Sequence, residues 1–392
     1  MKRIDILSMC ADEIEGALAA EGFPPFRARQ LYSWIHGRGV ADLSQMSNLP
    51  RPLKNFLTER ADLAPCAIAS ERVSPSDSTR KLLVRLRDGL SVETVLMKDG
   101  AKATVCVSTQ VGCALECAFC ATGRMGFVRN LTAGEIVGQV LVTRPSTGGN
   151  AARERVNIVF MGMGEPLANC PSLFKAIKIL NDPNGAAVGA RRMTVSTAGL
   201  PPGIKRLRSL GLQVGLAISL NAATDELRSR LMPINKRYPI KQVIDAAAGY
   251  ASTVGRRVTL EYVMLGGVND RKRDAVALAD LAADLPCKIN IISYNPSPGA
   301  GFKAPTPGAL ARFVEYLYEH APAVTVRNSK GADIDAACGQ LATAAPVRRS
   351  AVLKERGRTT RATRAQAGSS DGRVPEAGPS NRRAPKARRA GS

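Results

Sequence analysis

The hydrophobic pattern changes period twice along the chain. Over roughly the first 65 residues, apolar positions recur at helical spacing. Asp12-Glu13-Ile14 through Ala20 reads as one short amphipathic helix, closed by Gly22 and Pro24-Pro25. Phe26 through Ile35 reads as a second, with Phe26, Leu31, Trp34 and Ile35 roughly on one face, and Leu53 to Leu57 belongs to a third. From about 66 to 100 the spacing becomes that of strands. Lys81 to Arg87 and Leu90 to Leu96 flank Asp88-Gly89, the dipeptide of a tight hairpin turn. Glu93 falls in the second of these strands beside Val92 and Val95, where an acid ordinarily faces solvent.

From about 103 to 330, strands alternate with helices. Strands are predicted at Thr104 to Ser108, Val156 to Met161, Met193 to Ser196, Val214 to Leu220, Arg257 to Met264, Lys288 to Tyr294 and Ala323 to Arg327. Thr132-Ala-Gly-Glu135 is a capping box that opens a helix to about Thr143. Further helices are predicted at Pro171 to Leu180, Pro202 to Leu210, Ile240 to Val254 with Gly255 as its stop, Asp270 to Leu285 and Gly308 to His320. About six βα units with short connections imply an α/β fold with a parallel sheet, open or curved into a barrel. In such sheets the chemistry collects beyond the carboxyl ends of the strands.

Composition adds a partner and a compartment. The 392-residue chain carries a net charge of +22, which points to a polyanion, with nucleic acid ahead of an anionic membrane surface. From Pro346 onward there are 13 Lys/Arg against 3 Asp/Glu and almost no large apolar side chains, so this tail is expected to be disordered. A net +12 remains on the rest of the chain. The basic residues Arg27, Arg29, Arg38, Arg51 and Lys54 either face phosphates or form a solvated helix surface. There is no run of about 18 uncharged apolar residues, and acids stand where a secretory signal would place its apolar core. A cytoplasmic protein without membrane contact is expected. Nine cysteines, an odd number in a long chain, suit a reducing compartment and cofactor chemistry.

Three of those cysteines fall within eight residues, at Cys113, Cys117 and Cys120, just after the first strand of the alternating region. Gly112 and Gly123 flank them and allow a tight wrap. Thiolates select iron–sulfur clusters and zinc. A structural zinc site wants four ligands, usually as two separated pairs, and no second pair is present. Three thiolates on a short loop instead suit a four-iron cluster with one iron left open. Polar or glycine positions close the following strands: Gly164-Glu165, Ser196, Ser219-Leu220-Asn221 and Asn295. Each alone is an ordinary helix cap or turn; together, around one sheet end, they suit a cofactor. Cys338, between Ala-Ala and Gly, is either a small buried apolar residue or a reactive thiol.

Taken together these motifs resemble the RlmN/Cfr family of radical S-adenosylmethionine (SAM) RNA adenine methyltransferases. The resemblance rests on Cys106-Val-Ser-Thr-Gln-Val-Gly-Cys113, the cysteine trio, Gly162-Met-Gly-Glu-Pro166 and Arg191-Arg-Met-Thr-Val-Ser-Thr197. It rests equally on Leu231-Met-Pro-Ile-Asn-Lys236, Leu265-Gly-Gly-Val-Asn-Asp270, the Asn295 to Gly299 turn and Asp335-Ala-Ala-Cys-Gly-Gln340, and spans roughly residues 10 to 342. One departure is Asn221, where many members carry histidine.

The resemblance implies a partial (β/α)6 barrel over 103–345 that ends in a loop bearing a catalytic cysteine. A helical RNA-binding accessory domain over 1–65 and a β-hairpin linker over 66–102 would precede it, and the basic tail over 346–392 would follow. It implies a [4Fe-4S] cluster on Cys113, Cys117 and Cys120, and SAM, two per turnover, bound by Gly164, Glu165, Ser196, Ser219, Leu220, Asn221 and Asn295. It further implies Cys338 as an S-methylated intermediate, Cys106 as its transient disulfide partner and Glu93 as proton acceptor. Carbon 2 of an adenine in 23S rRNA and of one beside the tRNA anticodon would be the targets, with a ferredoxin or flavodoxin-type electron donor. The rivals are a methyltransferase for carbon 8 of the same kind of base and, from a different class, a zinc-stabilised RNA-binding protein.

Overall fold

The computed structural model describes residues 3–64, 66–143, 155–297 and 299–343. The basic tail lies outside the described residues. At the amino end, β1 (Ile4–Asp5) pairs in parallel with β2 (Ala61–Asp62), and three helices fill the interval: α1 (Ala11–Ala19), α2 (Pro25–Tyr32) and α3 (Arg51–Arg60). Ile14, Leu18, Leu31, Leu53 and Leu57 are buried among them, as helical spacing predicts. Phe26 does not share their face. It stands 43 % exposed, with the Arg27 guanidinium over its ring, because α2 starts only at Pro25 and its last turn widens through Ser33–Gly37.

The hairpin forms as β4 (Arg80–Leu86) and β5 (Ser91–Asp99), with Gly89 in the left-handed region at its turn. It is more than a linker. An edge strand, β3 (Cys66–Val73), pairs with β4, and β5 pairs antiparallel with β6 (Lys102–Cys106), placing Val95 opposite Cys106. One ten-stranded sheet results. Its remaining strands all run parallel to β6. After β6 the chain forms β7 (Gln110–Gly112), α4 (Ala121–Met125), β8 (Phe127–Asn130) and α5 (Ala133–Thr143). Then follow β9 (Arg155–Phe160), α6 (Cys170–Asn181), β10 (Met193–Thr197), α7 (Pro201–Arg208), β11 (Gly215–Ser219), α8 (Asp225–Leu231), α9 (Ile240–Val254), β12 (Val258–Met264), α10 (Lys272–Ala282), β13 (Cys287–Ser293), α11 (Pro307–His320) and β14 (Val324–Arg327). The seven parallel strands make the partial barrel.

Two signals read from sequence act as expected. Thr132 Oγ1 accepts from Glu135 N (3.1 Å) while Glu135 accepts from Thr132 N (2.9 Å), the reciprocal capping box of α5. Gly255 ends α9 in the left-handed region. Along each central strand, alternate residues face opposite sides. Val195, Leu260 and Ile289 enter one core with Val243, Leu278 and Phe313 of the helices. Their neighbours, including Ser196, Ser219 and Glu261, line a cleft instead.

Candidate active site at the cysteine loop

β7 and β8 pair antiparallel and pinch the cysteine loop between them. Cys113 N donates to Gly126 O (2.8 Å) and Cys120 N to Cys117 O (3.1 Å), so the loop is wrapped by its own backbone. Gly112 sits at φ +73°, where a Cβ would lie 1.9 Å from Gly126 O, and a Cβ on Gly123 would come within 3.0 Å of Cys117 N. Both flanking glycines are thus required by the wrap. Gly112→Ala is expected to destabilise the fold by about 3 kcal/mol, the upper end for backbone strain, and to cut iron incorporation to less than half. Urea unfolding of the iron-free protein and iron analysis after reconstitution measure the two.

All three thiols line one cleft. Burial pushes Cys113 up to about 12 and Cys117 well above the usual thiol range, with the neighbouring thiols adding to both. Such thiols stay protonated until a metal displaces the proton. Among the described residues, no three His, Cys, Asp or Glu side chains are grouped so that they could hold one metal ion. A four-iron cluster asks for a different arrangement, because each cysteine binds its own iron. Three thiols spread over one cleft wall fit that demand.

The strand ends furnish the rest of the cleft. Gly164 (φ +98°) packs so closely that a Cβ would meet Gln110 Cβ at 2.5 Å. Gln110 Oε1 in turn accepts from Glu165 N (2.8 Å). The Glu165 carboxylate accepts from Leu167 N (2.9 Å) and Ala198 N (2.8 Å), and burial holds it above the ordinary carboxylate range. The Thr197 side chain also hydrogen-bonds this carboxylate. Asn221, in the left-handed region at φ +58°, accepts from Val263 N (3.0 Å), and its amide points at the Met232 sulfur (3.3 Å). Asparagine is one of the few residues that tolerates this backbone, and its side chain is already engaged with the protein. Gly164, Glu165, Ser196, Ser219 and Asn221 line the cleft with the three cysteines and Cys338. Leu220 and Asn295 do not. Leu220 is fully buried, and the Asn295 amide donates to Ser329 (2.8 Å).

Sequence reasoning missed two residues here. Glu261 on β12 is buried in the cleft wall and accepts from Ser196 Oγ (3.2 Å). Arg228 on α8 is completely buried behind it. The acid inside an apolar strand was a signal for the first; α8, seven residues long and ended before Pro233, left no periodic signal for the second.

The segment Gly331–Thr343 closes over the cleft. Gly339 O accepts from Ala121 N (2.8 Å) and Leu341 O from Thr122 Oγ1 (2.6 Å), which ties this segment to the cysteine loop. Cys338 faces both the cleft and a second cavity of about 20 Å³ that it shares with Cys106 and Arg327. That space is about one water molecule in size. Burial pushes Cys106 up to about 12 and also raises Cys338, while the Arg327 charge opposes both shifts. All nine cysteines are free thiols. The transient disulfide expected between Cys106 and Cys338 is not formed in this structure, in which the two thiols share a cavity.

Glu93 corrects the expectation that an acid in the second hairpin strand faces solvent. Because the closing segment and Lys81 cover its face of β5, Glu93 is buried; it pairs with Lys81 (3.1 Å) and accepts from Ala342 N (2.9 Å). Burial raises it above the ordinary carboxylate range even though Lys81 opposes the shift. It opens onto a cavity on the other side of the closing segment, lined also by Arg72, Lys81 and Arg124.

A partial parallel barrel with a cysteine-trio loop after its first parallel strand defines a radical SAM enzyme. The family model of the radical SAM superfamily matches residues 107–279, and that of the ribosomal RNA large subunit methyltransferase N-terminal domain matches 4–63. The chain is 46 % identical over 343 residues to a probable dual-specificity RNA methyltransferase RlmN of Moorella thermoacetica, covering 86 % of this chain and 97 % of that protein. It is 47 % identical to the dual-specificity RNA methyltransferase RlmN of Anaeromyxobacter dehalogenans, covering 86 % and 91 %. The crystal structure of a radical SAM methyltransferase from Sphaerobacter thermophilus superposes with a TM-score of 0.83 at 45 % identity, covering 86 % of this chain and 99 % of that one. The chain belongs to the RlmN family of radical SAM RNA methyltransferases. No described helix is long and apolar enough to cross a membrane.

Proposed function

We propose that the chain methylates carbon 2 of adenine in 23S rRNA and in tRNA, through an S-methylcysteine at Cys338 and a covalent protein–RNA adduct. The observation that carries this reading is the double exposure of Cys338, to the cleft of the three cysteines on one side and to the cavity of Cys106 on the other. The three cysteines would hold the cluster, and Gly164, Glu165, Ser196, Ser219 and Asn221 would frame SAM, with Leu220 and Asn295, which stand off the cleft, supporting the strand ends rather than touching it. When bound, these groups supply a methyl group for sulfur and a radical that activates that methyl for bonding to carbon, with two SAM consumed per turnover.

The protein's own residues account for the remaining steps. The Cys338 thiolate, favoured by Arg327, is a competent nucleophile for the first methyl. Once that carbon is bonded to adenine, the Glu93 carboxylate, whose burial raises its affinity for protons, takes the ring proton as the closing segment between it and the cleft shifts, and the ring's unpaired electron leaves through the redox chain that serves the cluster. The Cys106 thiolate then attacks the Cys338 sulfur. A sulfur–sulfur bond forms, the sulfur–carbon bond breaks with its electron pair going to carbon, and that carbon takes a proton back from Glu93 to become the methyl group of the departing RNA. An external thiol would reduce the resulting disulfide, and a ferredoxin or flavodoxin would supply electrons to the cluster.

The test is nucleoside mass spectrometry of ribosomal and transfer RNA from a deletion strain, with and without the gene restored. Loss and recovery of 2-methyladenosine in both RNAs is expected. Recovery of 8-methyladenosine instead would assign the rival carbon. No change in either nucleoside would overturn the proposal.

A further inference from the structure

Arg228 is an anomaly that the reaction above does not use. It is 0 % exposed, and among the described residues no carboxylate lies within ion-pair distance of it. Its guanidinium donates to four neutral oxygens: Leu220 O (3.0 Å), Asn235 Oδ1 (2.8 Å), Ala198 O (2.6 Å) and Ser219 O (3.2 Å). Burying a cation is costly unless a negative charge answers it. Carbonyl dipoles meet the hydrogen-bonding need without answering the net charge; burial weakens its hold on the proton, to about 10, although Cys117 and, less strongly, Asp225 oppose that shift.

The direction from which a negative charge can come is set by the packing. The helix that carries Arg228 is fastened to the cysteine loop, since Leu231 O accepts from Ala118 N (2.9 Å). Cys117 and Cys120 pack against a small apolar cluster of its own, built from Phe119, Leu227, Leu231 and neighbours. Arg228 and Cys117 feel each other's charge.

We infer that Arg228 is the counter-charge behind the cluster and sets how readily the cluster accepts an electron. This rests on the reading that Cys113, Cys117 and Cys120 hold a four-iron cluster. Three thiolates leave such a cluster net negative, and one-electron reduction makes it more so. A fixed cation behind one ligand stabilises the reduced form. Arg228 also holds the ends of β10 and β11, so a structural role has to be separated from the electrostatic one.

The experiment uses the full chain, reconstituted anaerobically with iron and sulfide, and reads the midpoint potential by redox titration with electron paramagnetic resonance. Iron content is measured first. A wild-type chain that takes up no cluster would sink the cluster reading itself. Given full clusters, Arg228→Gln removes the charge and keeps some hydrogen bonding, whereas Arg228→Lys keeps the charge and loses the planar fork. The Gln variant is expected to be about tenfold harder to reduce, ~59 mV for one electron. The Lys variant is expected to stay within about threefold of wild type, well under that tenfold step. A Gln variant that is reduced as easily as wild type, or two variants shifted alike, would overturn the inference. Should the Gln variant not fold, the Lys variant still decides, because a tenfold fall with the charge retained would reject it.

Discussion

Replacing Cys106 by alanine is expected to leave RNA bonded to the protein through denaturation, whereas Cys338→Ala leaves none. The two thiols are more than 200 residues apart in sequence, yet they share one cavity of about 20 Å³. Their surroundings differ in the way that matters. Cys338 also faces the cleft of the three cysteines; Cys106 does not. Without the Cys338 sulfur there is nothing to accept the first methyl, so neither adduct nor product forms. Without Cys106 the methyl, the radical step and the bond to adenine all remain possible. Only the attack that breaks the sulfur–carbon bond is missing, and the adduct accumulates. A denaturing gel with labelled RNA separates the cases, and the double variant should match Cys338→Ala. Identical behaviour of the two single variants, with no adduct in either, would leave the S-methylcysteine route without support.

Cys117→Ala should give a soluble chain that lacks four-iron absorbance and does not cleave SAM, a loss of at least ~10³-fold on the scale of removing a catalytic group. Cys117 packs against the small apolar cluster rather than the main core, so its removal touches few of the contacts that hold the sheet together. Cys338 also lines this cleft, but it is held on the covering segment rather than on the cysteine loop, and it is not expected to take the place of Cys117. Cys106 is confined to its cavity with Cys338, and Cys66, Cys170 and Cys287 are buried in the main core. Full iron content in this variant would be incompatible with the trio as the ligand set.

Much of this was legible from residue spacing because the signals are local. The seven parallel strands, the Thr132 capping box, the Gly255 stop and the need for Gly112 and Gly123 all depend on neighbours within a turn or two. What was not legible depends on distant partners. Alternation along β5 shows that Glu93 has a side of its own, but only the closing segment, distant in sequence, puts that side indoors. Glu261 hid for the same reason, since a parallel strand covered on both faces gives its acid no outside. Arg228 left no signal because its helix is too short to show a period. The chemical role of Cys338 came from resemblance to a family; its placement between two cavities is a property of the fold.

The bonds from Ala121 to Gly339 and from Thr122 to Leu341 also bear on the order in which the protein is put together. The cysteine loop leaves the ribosome some 200 residues before the segment that covers it. During synthesis the barrel can therefore form around a cleft whose cover has not yet been made. Cluster delivery has that interval to proceed through an open mouth, and the arrival of Gly331–Thr343 shuts it. A carrier that loads iron and sulfide after the chain is finished must first lift that segment.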